Sequence, residues 1–361
     1  MKKLMTCLVL CIPILAGCWD QVSFRDLQVV TLIGIEGEKS DVTIHFAFPA
    51  HTDDQVEYLT AKAQGYSFAD AKNEINVRTS EVIDISQLDI LLISEETAGT
   101  NLYDSLDNLY RTPRNRLSSN VALVQGEMDA FMTQNKSKGI GNNVPDFITH
   151  LLKTSDDYSL TVNHDLQEVC TLLFSEGKDL ALPVLKIGEE SGHPELAGTA
   201  LFKGKSATGT MLTTSEGKIL AIMEHNPGKF LRGSYEVELE GEEFYMTVEY
   251  ISGKKKWDIQ GEKVRMTYDI EVEIEEFPHG AVLEKDRMKI IEKQLSEHLT
   301  ADMENLLEVL QGTGSDAIGL GYQVRAFHQD LWEKGEWHET FSELDITVDA
   351  NITIRRTGIL N

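Results

Sequence analysis

Four residues near the start of the chain, Leu15-Ala16-Gly17-Cys18, have the types and spacing for one specific piece of covalent chemistry. Small side chains at Ala16 and Gly17, directly before a cysteine and preceded by Leu15, form a bacterial lipobox, whose peptidase tolerates little bulk before the cut. Cleavage between Gly17 and Cys18 would make Cys18 the new N-terminus, with diacylglycerol on its sulfur as a thioether. Each buried methylene contributes about 0.8 kcal/mol, so two acyl chains anchor where one alone is marginal. Lys2 and Lys3 precede an uncharged stretch, Leu4 to Leu15, that is shorter than the roughly 20 apolar residues a spanning helix needs. The pattern is that of a lipoprotein signal peptide over residues 1–17.

Cysteine usage fits this reading. Cys7 and Cys11 leave with the signal and lipid consumes Cys18, so Cys170 alone remains and no internal disulfide is available. Cys170 sits in the apolar pattern LQEVCTLLF, which points to a buried structural thiol. Lys254-Lys255-Lys256-Trp257 is the one basic cluster beside an aromatic. Its ordinary reading is a solvated hairpin turn; its functional reading is a contact with acidic partner loops or lipid headgroups, and the four are candidate contact residues on that account.

Other constellations fall short of chemistry. GTGSDAIGLG at 312–321 lacks the Gly-Lys-Ser/Thr of a phosphate-binding loop and reads as a helix stop, with Asp316 near the start of a second helix. Asp53-Asp54, Asp156-Asp157 and Glu242-Glu243 lack the spaced oxygen ligands and glycine of a calcium loop, so solvated acidic surface is expected there. Neither an HExxH pair nor a Gly-x-Ser-x-Gly elbow occurs. The expectation is therefore no enzyme, no metal and no cofactor.

Charge narrows the partners. The net charge of −26 becomes −28 on removal of residues 1–17, because two lysines and no acid are lost. So acidic a body repels nucleic acid and anionic bilayer surfaces, both polyanions. Membrane contact is expected through lipid, with no nucleic-acid role.

The elements that would carry these residues can be read from periodicity. Val29 to Ile35 and Val42 to Phe48 read as a hairpin, its first strand central and its second apolar on one face. Ser67 and Asp70 resemble a capping box opening a helix to about Ser80. Leu88 to Ile93 and Asn120 to Gln125 read as buried strands around a helix marked by Leu102, Leu106, Leu109 and Tyr110 and ended by Pro113. KSKGIGNN reads as a loop, Asp146–Leu152 and Asp165–Phe174 as helices, and Leu182–Ile187 as a strand running into a polar linker, GEESGHPEL. Beyond it, TYDIEVEIEEF alternates Tyr268, Ile270, Val272 and Ile274 with acids, a half-buried strand. Glu236–Leu239 and Phe244–Ile251 complete a meander. Met288, Ile291, Leu295, Leu299, Met303, Leu306 and Leu310 form a narrow stripe on one long helix, and Leu344–Ile354 reads as a closing strand.

Taken in order, Cys18-Trp19-Asp20, LQVVTLIGI, LDILLISEETAGTNLYDSLDNLYRTPRNR, ALPVLKIG, GTALFKGKSATGTM, GLGYQVRAFHQDLWEKGEW and ITVDANITIRRTGIL resemble the Ger(x)C spore-germination lipoproteins, C subunits of nutrient germinant receptors. The resemblance covers essentially the whole chain after the signal. It implies a non-enzymatic subunit on the outer surface of the spore inner membrane, partnered by integral-membrane A and B subunits that respond to nutrients. It also implies an α+β fold of three mixed α/β domains. The breaks read from the chain place these at 18–130, 131–198 and 199–361, the last an antiparallel sheet packed with a long helix. The rival reading is a solute-binding lipoprotein of an uptake system, which would have two similar α/β lobes closing at a hinge.

Overall fold

The computed structural model describes residues 23–51, 56–132, 144–277 and 285–356. The lipobox, Asp53-Asp54 and KSKGIGNN lie outside them. After a 3-10 turn at Phe24–Asp26 come β1 (Leu27–Val29), β2 (Leu32–Glu38), β3 (Asp41–His51) and β4 (Val56–Gly65). The β2–β3 turn is Lys39-Ser40, flanked by Gly37 at φ 95°. A Cβ on Gly37 would stand 2.2 Å from the Asp41 carbonyl oxygen, so only glycine fits.

Helix α1 (Phe68–Asn76) is capped by Ser67, whose hydroxyl accepts from the Asp70 N–H; Asp70 reaches back to the Tyr66 N–H, one residue short of a reciprocal box. It stops before Ser80, because the chain tightens at Val77–Thr79 to enter β5 (Val82–Asp84), which pairs parallel with β1. Next come β6 (Ile90–Ser94), α2 (Glu95–Ala98), α3 (Leu102–Arg111), β7 (Asn120–Gln125), α4 (Met128–Met132), α5 (Val144–Asp157), α6 (Leu166–Leu173), β8 (Ala181–Ile187), β9 (Pro194–Lys203) and β10 (Ser206–Leu212).

Eight of these strands form one sheet in the order β10-β9-β8-β7-β6-β2-β3-β4. Its centre, β2, β6, β7 and β8, is parallel and antiparallel hairpins finish both ends. Apolar runs such as ILLIS and NVALV suit strands covered on both faces. On one face Phe68, Ala71, Leu106, Val169 and Cys170 of α1, α3 and α6 bury against the sheet. Met128, Phe131, Ile148 and Leu152 of α4 and α5 cover the other. That second layer is why β3 is buried on both faces, and not on one as its alternation suggested: His45 is buried between Glu36 and Asp129, at 2.8 and 3.3 Å.

GEESGHPEL is not a linker. Ile187 pairs with Pro194, and Gly188 and His193 close a hairpin turn with an N–H···O bond of 2.9 Å, so β8 and β9 are antiparallel neighbours. The boundaries expected at 130/131 and 198/199 both fall within the span of the sheet, the second inside β9.

The remainder comprises α7 (Thr214–Glu224), β11 (Arg232–Leu239), β12 (Glu242–Gln260), β13 (Lys263–Glu276), α8 (Lys285–Thr313), α9 (Leu320–Phe327), α10 (Gln329–Trp332), α11 (Trp337–Glu343) and β14 (Asp345–Arg356). The four strands form a second sheet, and α8 lies across it on Ile291, Leu295, Leu299, Met303, Leu306 and Leu310, the expected stripe. β14 joins β13 in parallel, unlike the other pairs, because the chain crosses back over the sheet through α8 before returning. α7 lies between the two sheets: Leu220, Ile222 and Met223 share one core cluster with Ala181 and Leu201 of the first sheet and Met266 and Ile270 of the second. Among the described residues no helix is long and apolar enough to cross a membrane.

Candidate functional site

Lys254 to Trp257 occupy the middle of β12, not a turn; the turn lies beyond Gln260. Strand alternation then splits the cluster. Lys254 and Lys256 are exposed on the outer face, opposite Asp269 and Thr267, while Lys255 and Trp257 turn inward and are half-buried. Lys255 Nζ lies 4.4 Å from the Trp257 ring centroid and donates to the Glu224 carbonyl at 2.9 Å. That carbonyl belongs to the last turn of α7, the negative end of the helix dipole, where a cation is favoured. Burial lowers the Lys255 pKa, and the nearby Glu224 carboxylate works against that shift. Trp257 Nε1 donates to the Tyr268 hydroxyl at 3.2 Å, and that hydroxyl donates to the Met223 carbonyl at 3.2 Å. These inward groups brace the end of α7.

The brace continues into a second polar cluster that sequence reasoning missed. The Glu224 side chain, almost fully buried, pairs with Lys178 at 2.8 Å. The next residue, Asp179, is buried and accepts from the N–H groups of Asp316 (2.7 Å) and Gly204 (2.8 Å) and lies 3.0 Å from His338 Nε2. Asp316 is wholly buried and accepts from Leu320 N–H (2.9 Å), Gly321 N–H (2.7 Å) and Trp337 Nε1 (2.9 Å). Burial pushes the Asp316 carboxyl up to about 7, against the pull of those three donors. The Asp179 carboxylate raises the pKa of His338.

GTGSDAIGLG does stop a helix: α8 ends at Thr313 and Gly314 takes φ 70°. It also docks the two halves of the chain, because Gly321 packs against Gly177, where a Cβ would stand 2.8 Å from the Gly177 Cα. The only local signal was Asp316 inside an apolar, glycine-flanked run. Its partners lie at positions 179 and 337, spacings no short motif encodes.

Both carboxylates are occupied by backbone and ring donors, and among the described residues the His338 ring is bonded to the Asp179 carboxylate and to no hydroxyl or thiol, the Ser342 hydroxyl donating instead to the His338 carbonyl. Burial raises the Cys170 thiol to about 12, leaving it inert near neutrality. Asp157 pairs with Lys229 at 2.9 Å. Among the described residues no group of three His, Cys, Asp or Glu side chains is placed to hold a metal. The arrangement is chemically a joint.

Beside the joint lies an aromatic surface. Phe174 and Tyr103 meet edge to face at 4.4 Å, and Lys205 Nζ sits 4.4 Å from the Phe174 ring centroid. Ser175 Oγ donates to the Tyr322 hydroxyl at 2.9 Å, and Arg325 pairs with Glu176 at 3.2 Å. Phe174 and Tyr322 remain 54% and 45% exposed.

Comparison with known proteins gives a consistent picture. Residues 20–187 match the family described as spore germination protein N-terminal domain, and residues 197–358 match spore germination B3/GerAC like, C-terminal. The chain is 22% identical to spore germination protein GerQC of Bacillus cereus over 99% of both chains. It is 20% identical to spore germination protein KC of Bacillus subtilis, covering 98% of this chain and 95% of that protein. The crystal structure of the GerBC protein shares the fold, with a TM-score of 0.54 at 16% identity, covering 89% of this chain and 96% of the other.

Proposed function

Because the chain belongs to the GerAC-like family of spore germination proteins, we propose that it is the C subunit of a nutrient germinant receptor. In this reading it is anchored by diacylglycerol on Cys18 to the outer surface of the spore inner membrane. It works by docking to integral-membrane A and B subunits and performs no catalysis. The observation that carries the reading is the pair of family matches standing in order along one chain, over nearly all of the residues beyond Cys18. Physical considerations support it. A tether raises the effective concentration of the body at its membrane partners, so modest contacts suffice. Exposed aromatic and arginine side chains of the kind gathered around Phe174, Tyr322 and Arg325 are enriched at interface centres.

The solute-binding alternative calls for two similar lobes around a hinge. Here an eight-stranded mixed sheet and a four-stranded sheet differ in topology and share a core cluster through α7. Crosslinking in spore membranes is expected to recover this chain with the integral subunits. A thermal-shift screen of the purified protein against amino acids, sugars and nucleosides is expected to show no micromolar binder, since ligand binding would stabilise by RT ln(1 + [L]/Kd). A single nutrient bound at micromolar affinity without partners would replace the docking reading with solute capture.

A further inference from the structure

The topology brings three features to one edge of the molecule. β1 and β5 are parallel neighbours with Leu27 opposite Val82, so both strands begin at the same edge. Helix α1 ends there too, because only the turn at residues 77–81 separates it from β5, and the Asn76 side chain accepts from the Ile83 N–H at 2.9 Å. Among the described residues, two of the most exposed aliphatic side chains stand at that turn, Val77 at its start with 83% exposure and Val82 just after it with 51%. Arg25 and Asp26, just before β1, are exposed, and Arg78, next to Val77, is exposed and paired with Glu74.

Singly exposed valines need no explanation on a protein surface. These two stand where the chain leaves toward Cys18. Leu27 stands nine positions after Cys18, a span of at most about 30 Å when fully extended. The edge is thereby confined close to the bilayer, while the far ends of β2, β6 and β7, around Gly37, Ser94 and Glu127, carry Glu36, Asp41, Glu95 and Glu96.

We infer that the edge formed by the start of β1, the end of α1 and the start of β5 is the face that rests on the lipid surface, with Val77 and Val82 in the headgroup layer. The inference rests on the Cys18 anchor. It gives the tethered body a preferred orientation: the acidic far ends of the parallel strands point away from the anionic bilayer, which would repel them.

The test uses full-length chain isolated from bacterial membranes and reconstituted in phosphatidylglycerol–phosphatidylcholine vesicles. A polarity-sensitive thiol probe is placed at Val77→Cys, Val82→Cys or Glu127→Cys; Cys170 is buried and does not compete. Residues that enter the headgroup layer should be quenched by brominated lipid at least about twice as strongly as the Glu127 probe. The mass of the same preparations reports acylation of Cys18. Acylated protein with equal quenching at all three positions would overturn the membrane-facing edge and leave the anchor standing. Protein without acyl chains at Cys18 would overturn the anchor, and the edge with it.

Discussion

Asp179 and Asp316, 137 residues apart, hold each other reciprocally: the Asp179 carboxylate accepts from the Asp316 N–H at 2.7 Å, and the Asp179 N–H donates to the Asp316 carbonyl at 3.0 Å. One residue belongs to the approach to β8 in the first sheet, the other to the link between α8 and α9 over the second. The joint between the sheets is thus written in backbone hydrogen bonds organised by one buried carboxylate.

Asp179→Ala should be among the most damaging polar substitutions. It strands the N–H groups of Asp316 and Gly204 in the interior, and each unsatisfied buried donor costs about 1–3 kcal/mol. Urea unfolding should show a loss of roughly 3 kcal/mol, with the two sheets losing their coincident transitions. A loss no larger than that of a surface substitution would mean that the joint does not hold the sheets together.

The joint also predicts a pH dependence. Asp316 has a folded pKa of about 7, above its ordinary value of 3.8, so between pH 4 and 7 the folded state holds more protons than the unfolded one. Its contribution to stability therefore falls as pH rises through that window. His338, also raised, contributes stability that is fully present below its unfolded value of 6.5 and lost as pH climbs through its folded value. The two act in the same direction. Asp316→Asn should flatten the decline between pH 4 and 7, and His338→Gln the part above 6.5. An unchanged thermal-denaturation profile in both variants would contradict the assignment.

Among the three consecutive lysines, only Lys255 should matter to stability. Lys255→Ala removes its bond to the Glu224 carbonyl and its position over Trp257, together about 1–2 kcal/mol. Lys254→Ala and Lys256→Ala, on the solvated face, should stay within about 0.5 kcal/mol. Equal effects at all three would mean that strand alternation does not separate them.

On α8, Leu295→Asp places a carboxylate in the stripe that packs on the second sheet and should destabilise by several kcal/mol, of order 3–5. Glu297→Ala, exposed and on the other side of the helix, should change stability by less than about 0.5 kcal/mol. Chemical denaturation of the two variants side by side checks the buried face.

Cys18→Ala should abolish incorporation of labelled palmitate and release the chain from membrane fractions, since the body carries a large negative charge that an anionic bilayer repels. Retention of the variant in high-salt, detergent-free buffer would require a second anchor or a tight partner.

Much of the fold was legible because its signals are local. The α8 stripe, the alternation of Tyr268 to Ile274, the helix over Leu102–Arg111 and the helix read over Asp165–Phe174 each arise from the spacing of apolar side chains within a single element. The misreadings share a cause as well. β3 looked one-faced because Thr43 and His45 are polar, yet α4 brings Asp129 to His45. GEESGHPEL looked like a linker because its composition is that of any exposed turn. The parallel entry of β14 depends on where α8 delivers the chain.

For the candidate site the division is sharper. The family resemblance needs only an ordered series of segments, so it was readable from the chain itself. Lys254 to Trp257 were visible as a cluster in one dimension, but a pleated strand sends neighbours to opposite faces. Tertiary structure alone made Lys255 a brace against α7 and left Lys254 and Lys256 in solvent. Asp179, Asp316, Trp337 and His338 carried no shared motif. A buried hydrogen-bonded joint is defined by which backbone donors two distant segments leave unsatisfied when they meet, and that is decided only when the sheets close over α7.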